Sequence, residues 1–276
     1  MNSLLVKPEN GDELAIEDNK GLHFLDLTVS SPNPQANFIN RNGTDGSQQG
    51  GPILFGSRTA TANFYLETND TIDFKAKAHD IWQMVYGREL LRLRESDEPG
   101  ICVYGVAKSF EFSHLSYLDK KFALQFELPS AYRYSVLRSK DYPLSVDQHA
   151  DSLNIGMNLP MEQLNYTVSG NSFRIYNPSD FDIQPYEQNH DLNIIFRGRG
   201  QPTLTNEDTG DVFSYNKKIT DTDSLVLNGV HPTLNGKPCE IDTNHGNIDL
   251  VRKSWNNFTL AGFSGTVTFD FPFLYL

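Results

Sequence analysis

Between residues 51 and 87 the spacing of apolar positions changes once, and the change separates strand from helix. Ile53, Leu54 and Phe55 form a short apolar run that stops at Gly56-Ser57. Residues 58–66, RTATANFYL, mix small, β-branched and aromatic side chains, as a sheet strand does. The period then moves from about two to about 3.6. Phe74, Ala78, Ile81 and Val85 fall at i, i+4, i+7 and i+11, one face of a helix over about 71–86, while Lys75, Lys77, Asp80 and Gln83 occupy the opposite face. Asp70 and Thr71 are candidate N-caps and Gly87 a candidate stop. No second helix of comparable quality is predicted.

Elsewhere the pattern is that of strands and turns. Residues 21–29, 89–94, 101–107, 109–114 and 121–128 read as strands, the last with Phe122, Leu124, Phe126 and Leu128 alternating against Ala123, Gln125 and Glu127. Residues 1–20 read as polar and acidic, with a turn at Gly11-Asp12. The Pro-, Asp- and Gln-bearing segment 135–161 suggests a linker, and a domain boundary is placed near residue 145. From residue 172 onward short strands are expected at 173–176, 191–197, 202–205, 211–215, 224–227, 239–242, 258–261 and 266–271. Asn, Gly and Asp turns at that spacing suggest a β-sandwich. The fold class expected is therefore mainly β: two sandwich-like domains, residues 1–145 with one packed helix and residues 146–276.

Residues 30–50 break the pattern. SSPNPQANFINRNGTDGSQQG is rich in Pro, Asn, Gly, Gln and Ser, and Phe38 and Ile39 are its two large apolar residues. Ordering such a loop costs roughly 1–2 kcal/mol per residue in backbone entropy. Two apolar side chains return about 3–6 kcal/mol. It reads either as a surface loop or as an arm, a hairpin over about 30–67 that orders against a neighbouring copy. In the second reading Phe38, Ile39, Ile53 and Phe55 are the inter-subunit candidates.

Composition narrows the function classes. With 276 residues, 18 Phe and 12 Tyr the chain can build real cores. Its 35 acidic against 23 basic residues give a net charge of −12, which disfavours nucleic-acid binding through counterion release. Neither a charged-then-apolar leader nor an apolar run near 18 residues is present, so a soluble chain made in the cytoplasm is expected, with no membrane partner. Cys102 and Cys239 are expected to be reduced and unbridged. Three glycosylation-type triplets, at Asn42, Asn165 and Asn257, carry no weight without a secretion signal.

Chemistry-bearing motifs are few. None of His23, His79, His114, His149, His190, His231 and His245 stands in a metal-ligand spacing, and no nucleophile elbow, P-loop or dinucleotide fingerprint occurs. Gly198-Arg199-Gly200 reads as a turn. Glu207, Asp208 and Asp211, like Asp221 and Asp223, cluster in turns, where turn chemistry accounts for them better than the paired carboxylates of a glycosidase. Neither catalytic residues, cofactor nor metal are expected. Trp255 with Asn256 and Asn257, and Asn244 with His245, are the residue types of a sugar site, though SWNNF reads equally as a strand whose Trp and Phe are core.

The stretch ILFGSRT…FYLE, followed by an acidic turn and a helix with a Trp-bearing face, resembles the N-terminal domain of the distal tail (Dit) proteins of long-tailed phages. FALQFELPSAYRYS and the C-terminal SWNNFTLAGFSGTVTFDFPFLYL fit the same family, with Ser254 where its pattern has Gly. NEDTGDVFSY…DSLVLNG…NGKPCEIDTNHGN resembles the C-terminal domain of larger Dit proteins, a galectin-like or carbohydrate-binding-module-like sandwich. The resemblance implies a tail-tube-like first domain, an arm known as the belt near residues 30–67, and a homo-hexameric ring in the virion. Its implied partners are the tail-tube protein, tail-tip proteins and receptor-binding or other baseplate proteins. The alternative is a protein that binds cell-wall carbohydrate through its sandwiches.

Overall fold

A computed structural model describes residues 2–16, 21–143, 153, 156–160 and 162–276. The boundary expected near residue 145 and His149 lie outside the described residues. The chain divides into two compact units, residues 1–133 with Leu276 and residues 134–275. Both are mainly β. No helix among the described residues is long and apolar enough to cross a membrane.

The first unit contains β1 (Leu4–Pro8), β2 (Leu14–Ile16), β3 (Leu22–Val29), β4 (Asn33–Gln35), β5 (Phe38–Asn40), β6 (Ser47–Gln49), β7 (Leu54–Gly56), β8 (Arg58–Leu66), α1 (Thr71–Val85), β9 (Leu91–Glu95), β10 (Ile101–Ala107), β11 (Ser113–His114) and β12 (Lys120–Leu128). Its main sheet runs β2-β1-β9-β10-β12-β8-β3. β8 and β12 alternate strictly between buried and less buried positions, so each gives one face to the core. Their register sets large residues against small ones, Leu124 opposite Ala62 and Phe126 opposite Ala60, and stacks Phe122 on Phe64 at 5.1 Å. The Leu27 amide donates to Glu95 Oε1 at 3.3 Å, joining β3 to a strand that is not its neighbour, so the sheet curls round its core.

The helix behaves as its periodicity predicts. Asp70 is the N-cap, its carboxylate accepting from the Ile72 and Asp73 amides at 2.8 Å. Ala78, Ile81 and Val85 are buried, and Phe74 packs partly against the core. The helix ends at Val85 with Tyr86 as its extended C-cap, and Gly87 follows directly. Residues 2–16 depart from expectation: Leu4, Val6 and Ile16 on β1 and β2 are core residues. Strands this short, with Lys7 inside the first and Asp12 and Glu13 just before the second, show too little alternation to register as strands.

The second unit contains β13 (Arg133–Arg138), β14 (Thr167–Ser169), β15 (Ser172–Asn177), the one-turn α2 (Pro185–Gln188), β16 (Asn193–Asn206), β17 (Val212–Ser214), β18 (Ser224–Asn228), β19 (His231–Leu234), β20 (Lys237–Pro238), β21 (Ser254–Asp270) and β22 (Pro272–Tyr275). Its main sheet runs β14-β21-β16-β18-β19-β20, with β15 on β21 and β17 on β16, while β22 pairs with β13. Two pairs of expected strands are single long ones: 191–197 and 202–205 belong to β16, and 258–261 and 266–271 to β21. The Gly198-Arg199-Gly200 cluster is therefore a bend inside a strand rather than a turn between strands, with the register shift falling just after it. A Cβ at Gly200 would stand 2.3 Å from the Gly262 carbonyl oxygen at φ +124°, so the two long strands approach this closely only through glycine. Residues 239–242, expected as a strand, instead contain the 3-10 helix Glu240–Asp242.

Candidate functional site

Two tiers of hairpin continue the β3–β8 pair away from the core of the first unit. The base is fastened by Arg58, which is buried although charged. Its Nε donates to the Ser30 carbonyl at 2.8 Å, its second guanidinium nitrogen reaches the same oxygen, and the third donates to Ala131 O at 3.2 Å. Ser30 and Thr59 exchange further bonds: Ser30 N to Thr59 O at 2.8 Å and Thr59 N to Ser30 Oγ at 3.1 Å. Beyond this clamp β4 pairs with β7, placing Pro34 opposite Phe55 and Gln35 opposite Leu54. The Gly50 amide then donates to Asn37 O at 2.7 Å, and β5 pairs with β6, placing Phe38 opposite Gln49 and Ile39 opposite Gln48. Gly43 and Gly46 supply the positive φ of the tip turn.

Every residue of β4, β5 and β6 is exposed. Phe38 is 61% and Ile39 49% exposed at the outer tier, and Ile53 is 48% exposed on the returning leg. Phe55 is half-buried beside the base. The four candidates thus share one hairpin, two near its tip and two on its return. Leu54, which the sequence reading did not single out, is as exposed as Ile53. Its signal was available, since it lies inside the same Ile-Leu-Phe run.

The other candidates are absorbed by structure. Asn256 is fully buried; its side chain accepts from the Val251 amide at 2.7 Å and donates to Val251 O at 3.1 Å, holding the turn before β21. It is not a sugar contact. Trp255 is half-buried, with the Arg174 guanidinium 4.1 Å from its ring centroid and Tyr176 tilted against it at 5.2 Å. Asn244 also works within the fold: its Oδ1 accepts from the Ser214 amide at 2.9 Å and its Nδ2 donates to Val212 O.

The clustered carboxylates are engaged locally. Glu207 accepts from Thr259 Oγ1 at 2.7 Å, Asp208 from the Asn257 amide at 2.5 Å, and Asp223 from the Thr220 amide and hydroxyl and from Asn235. Asp211 accepts from Thr209 Oγ1 and from the Asp249 amide. Asp249 is the one in this region driven upward, to about 6, by burial and by the charge of Asp211. Among the described residues no three His, Cys, Asp or Glu side chains are grouped to hold a metal ion. Cys102 and Cys239 are both free and buried, and burial pushes the Cys102 thiol up to about 12.

Residues 10–128 match the family model described as the phage tail protein RIFT-related domain. The whole chain is similar in fold to the Dit protein of phage SPP1, described as a paradigm of the hub adsorption apparatus in phages that infect Gram-positive hosts: TM-score 0.70 and 12% identity, over 99% of this chain and 100% of that one. A chain of the phage p2 baseplate in its activated conformation with Sr aligns with TM-score 0.49 and 9% identity over 99% of this chain and 98% of that one. No curated protein sequence matches the chain.

Proposed function

We propose that this protein is a structural component of a siphophage or prophage tail, a Dit-like hub at the tail tip between the tail tube and the baseplate. The observation that carries the reading is the arm: a two-tier hairpin with apolar tip residues, fastened at its base and bare along its length, on a unit that matches a phage tail domain. The full-length likeness in fold to the SPP1 Dit protein supports the same assignment. In this reading the chain closes into a hexameric ring through a heterologous interface, with a first domain that ends near residue 145 and a second that carries baseplate or receptor-binding proteins. The work is assembly rather than catalysis. The net charge of −12 suits a ring through which DNA passes without adhering. Burial of Asn256 removes one of the residues on which a carbohydrate-binding reading rested.

Electron microscopy of the purified protein tests this. Rings with a central hole and six-fold symmetry are expected. Monodisperse single copies at every accessible concentration would overturn the hub assignment.

A further inference from the structure

The first unit holds an open groove of about 870 Å³ between α1 and the segment that runs from β10 to β12. Phe74 and Ala78 of α1 and Phe112 form its floor, with Phe74 and Phe112 edge-to-face at 5.1 Å. Trp82, one turn beyond Ala78, is 46% exposed, and Tyr117 on the opposite wall is 93% exposed. Ile72 on α1 and Leu115, just after β11, are further exposed apolar residues of the same two segments. A contiguous apolar surface of this kind marks a place where something docks. No residue of the arm lines it.

We propose that this groove is the socket for the arm of a neighbouring copy of the chain, with the outer hairpin tier seated so that Phe38 packs against Trp82 and the groove floor. The proposal rests on the ring-forming role proposed above and adds where the arm lands.

Three observations on the molecule select this occupant. The first is reach. Thirteen residues separate the clamp at Ser30 from the turn at Gly43, which is about 40 Å of extended strand. A unit of this size has a radius of gyration of about 14 Å, so the tip extends well past its own core. The second is chemical match. Between residues 30 and 57 the charged residues are Arg41 and Asp45, both at the tip turn. The groove is likewise apolar inside, with charges of both signs exposed at its rim, Asp70 and Glu111 against Lys75, while the buried Lys120 lies over the Phe74 ring. A nearly neutral ribbon ending in one cation and one anion fits that distribution without stranding a charge. The third is stoichiometry. Each copy supplies one arm and one groove, which is what a head-to-tail closed ring requires. Phe38 and Ile39 are consecutive in a strand, so they face opposite sides of the ribbon, and a groove with two walls contacts both.

Trp82 and Trp255 are the two tryptophans. Trp255→Phe therefore leaves Trp82 as the only indole, and its emission reports whether the groove is covered. In that background the emission moves to the blue as concentration carries the protein through assembly, measured alongside light scattering. Phe38→Ala and Trp82→Ala, tested by scattering in the unmodified chain, each raise the assembly midpoint about tenfold, and the double variant raises it by less than the product. Phe38→Cys with Tyr117→Cys gives a ladder of covalent oligomers under mild oxidant, since the native thiols are buried. Rings that assemble with Trp82 emission unchanged and no ladder would overturn the socket while leaving the arm's role intact. Rings that assemble equally well once residues 33–55 are removed would overturn the arm's role itself. A chain that never self-associates overturns both.

Discussion

Two antiparallel ribbons in this molecule use the same hydrogen-bond pattern and are held by different means. In the second unit β16 and β21, fourteen and seventeen residues long, pair from Asn193–Asp270 to Asn206–Phe258, and their inward side chains include Phe196, Phe258 and Phe269, all essentially solvent-free. In the first unit the arm pairs three residues in each tier and buries nothing along β4, β5 and β6. A two-stranded ribbon without a covered face is marginal by itself. The long pair is stabilised by what it covers, whereas the arm is held by a clamp at Ser30 and Arg58 and leaves its outer strands bare. Backbone geometry is thus the same in both, and the side chains decide which ribbon is core and which stays exposed.

The largest effects should come from breaking each ribbon where it matters. Removing residues 33–55 leaves the thermal transitions of both units in place and abolishes ring formation, read by light scattering and electron microscopy. Phe269→Ala does the reverse: it costs about 3–5 kcal/mol through lost transfer energy and a cavity, seen as a lower transition for the second unit. Phe38→Ala changes monomer unfolding by less than about 0.5 kcal/mol, because its side chain is exposed in the free chain. Ile81→Ala, on the buried face of α1, costs about 2–4 kcal/mol in the first unit. A Phe38→Ala monomer destabilised as much as the Ile81→Ala protein would show that the arm belongs to the core after all.

How much of this could be read from the chain follows the same division. The α1 face was legible because Ala78, Ile81 and Val85 keep a helical period and meet one core. β12 was legible because nine residues alternate without a break. β1 and β2 were not, since strands of five and three residues are too short to carry a period. The long strands β16 and β21 were read as fragments because Gly198, Gly200 and Gly262 look like turn residues, and only the close approach of two backbones explains them. The arm was legible by composition, as a stretch unable to bury itself, and its four apolar candidates do lie on one hairpin. The groove on α1 was not, because Tyr117 sits in a segment with no period and becomes a wall only once the chain between β11 and β12 is placed opposite the helix.

A smaller effect separates a charge held within the fold from charges left bare. Glu13 accepts from Arg92 at 2.8 Å and from Arg94 through both carboxylate oxygens, and the hydrogen bond from Arg94 chiefly holds it down at about 2, against 4.5 for a free carboxyl. A depressed carboxylate stabilises the fold above its unfolded pKa and loses that contribution as pH falls through the folded one. Glu13→Gln should therefore lower the first unit's transition at pH 7, by about 1–2 kcal/mol once solvent screening is allowed for. The difference from the parent should shrink between pH 4.5 and 2. Asp45→Asn, at the bare tip, should leave the transition at pH 7 unchanged.

The smallest effect tests whether the buried region is itself fully satisfied. Asp249 lies beside β17 and β21, half-buried, and its amide is bonded to Asp211 Oδ2 at 2.9 Å. Its own carboxylate accepts from Asn247 Nδ2 at 3.0 Å, which favours the ionised form, but burial and the negative charge of Asp211 outweigh that bond and raise it to about 6 from 3.8. The sign is opposite to that of Glu13. A carboxyl whose folded pKa is raised takes up a proton on folding, so stability falls as pH rises from about 3.8 to about 6 and stays lower above that range. Asp249→Asn retains an oxygen able to accept from Asn247 and removes the charge facing Asp211. It should stabilise the second unit at pH 7–8 by about 1 kcal/mol, the shift being discounted for partial exposure. That corresponds to a rise of about 2–4 °C in its transition. The gain should fade as the pH is lowered through 6 toward 4, where the parent is protonated too. A gain that persists undiminished at pH 4 would place its origin in packing rather than charge. A loss at pH 8 would mean that the ionised carboxylate is needed there, and the turn between Asn247 and Asp249 would then be as dependent on its charge as the clamp at Arg58.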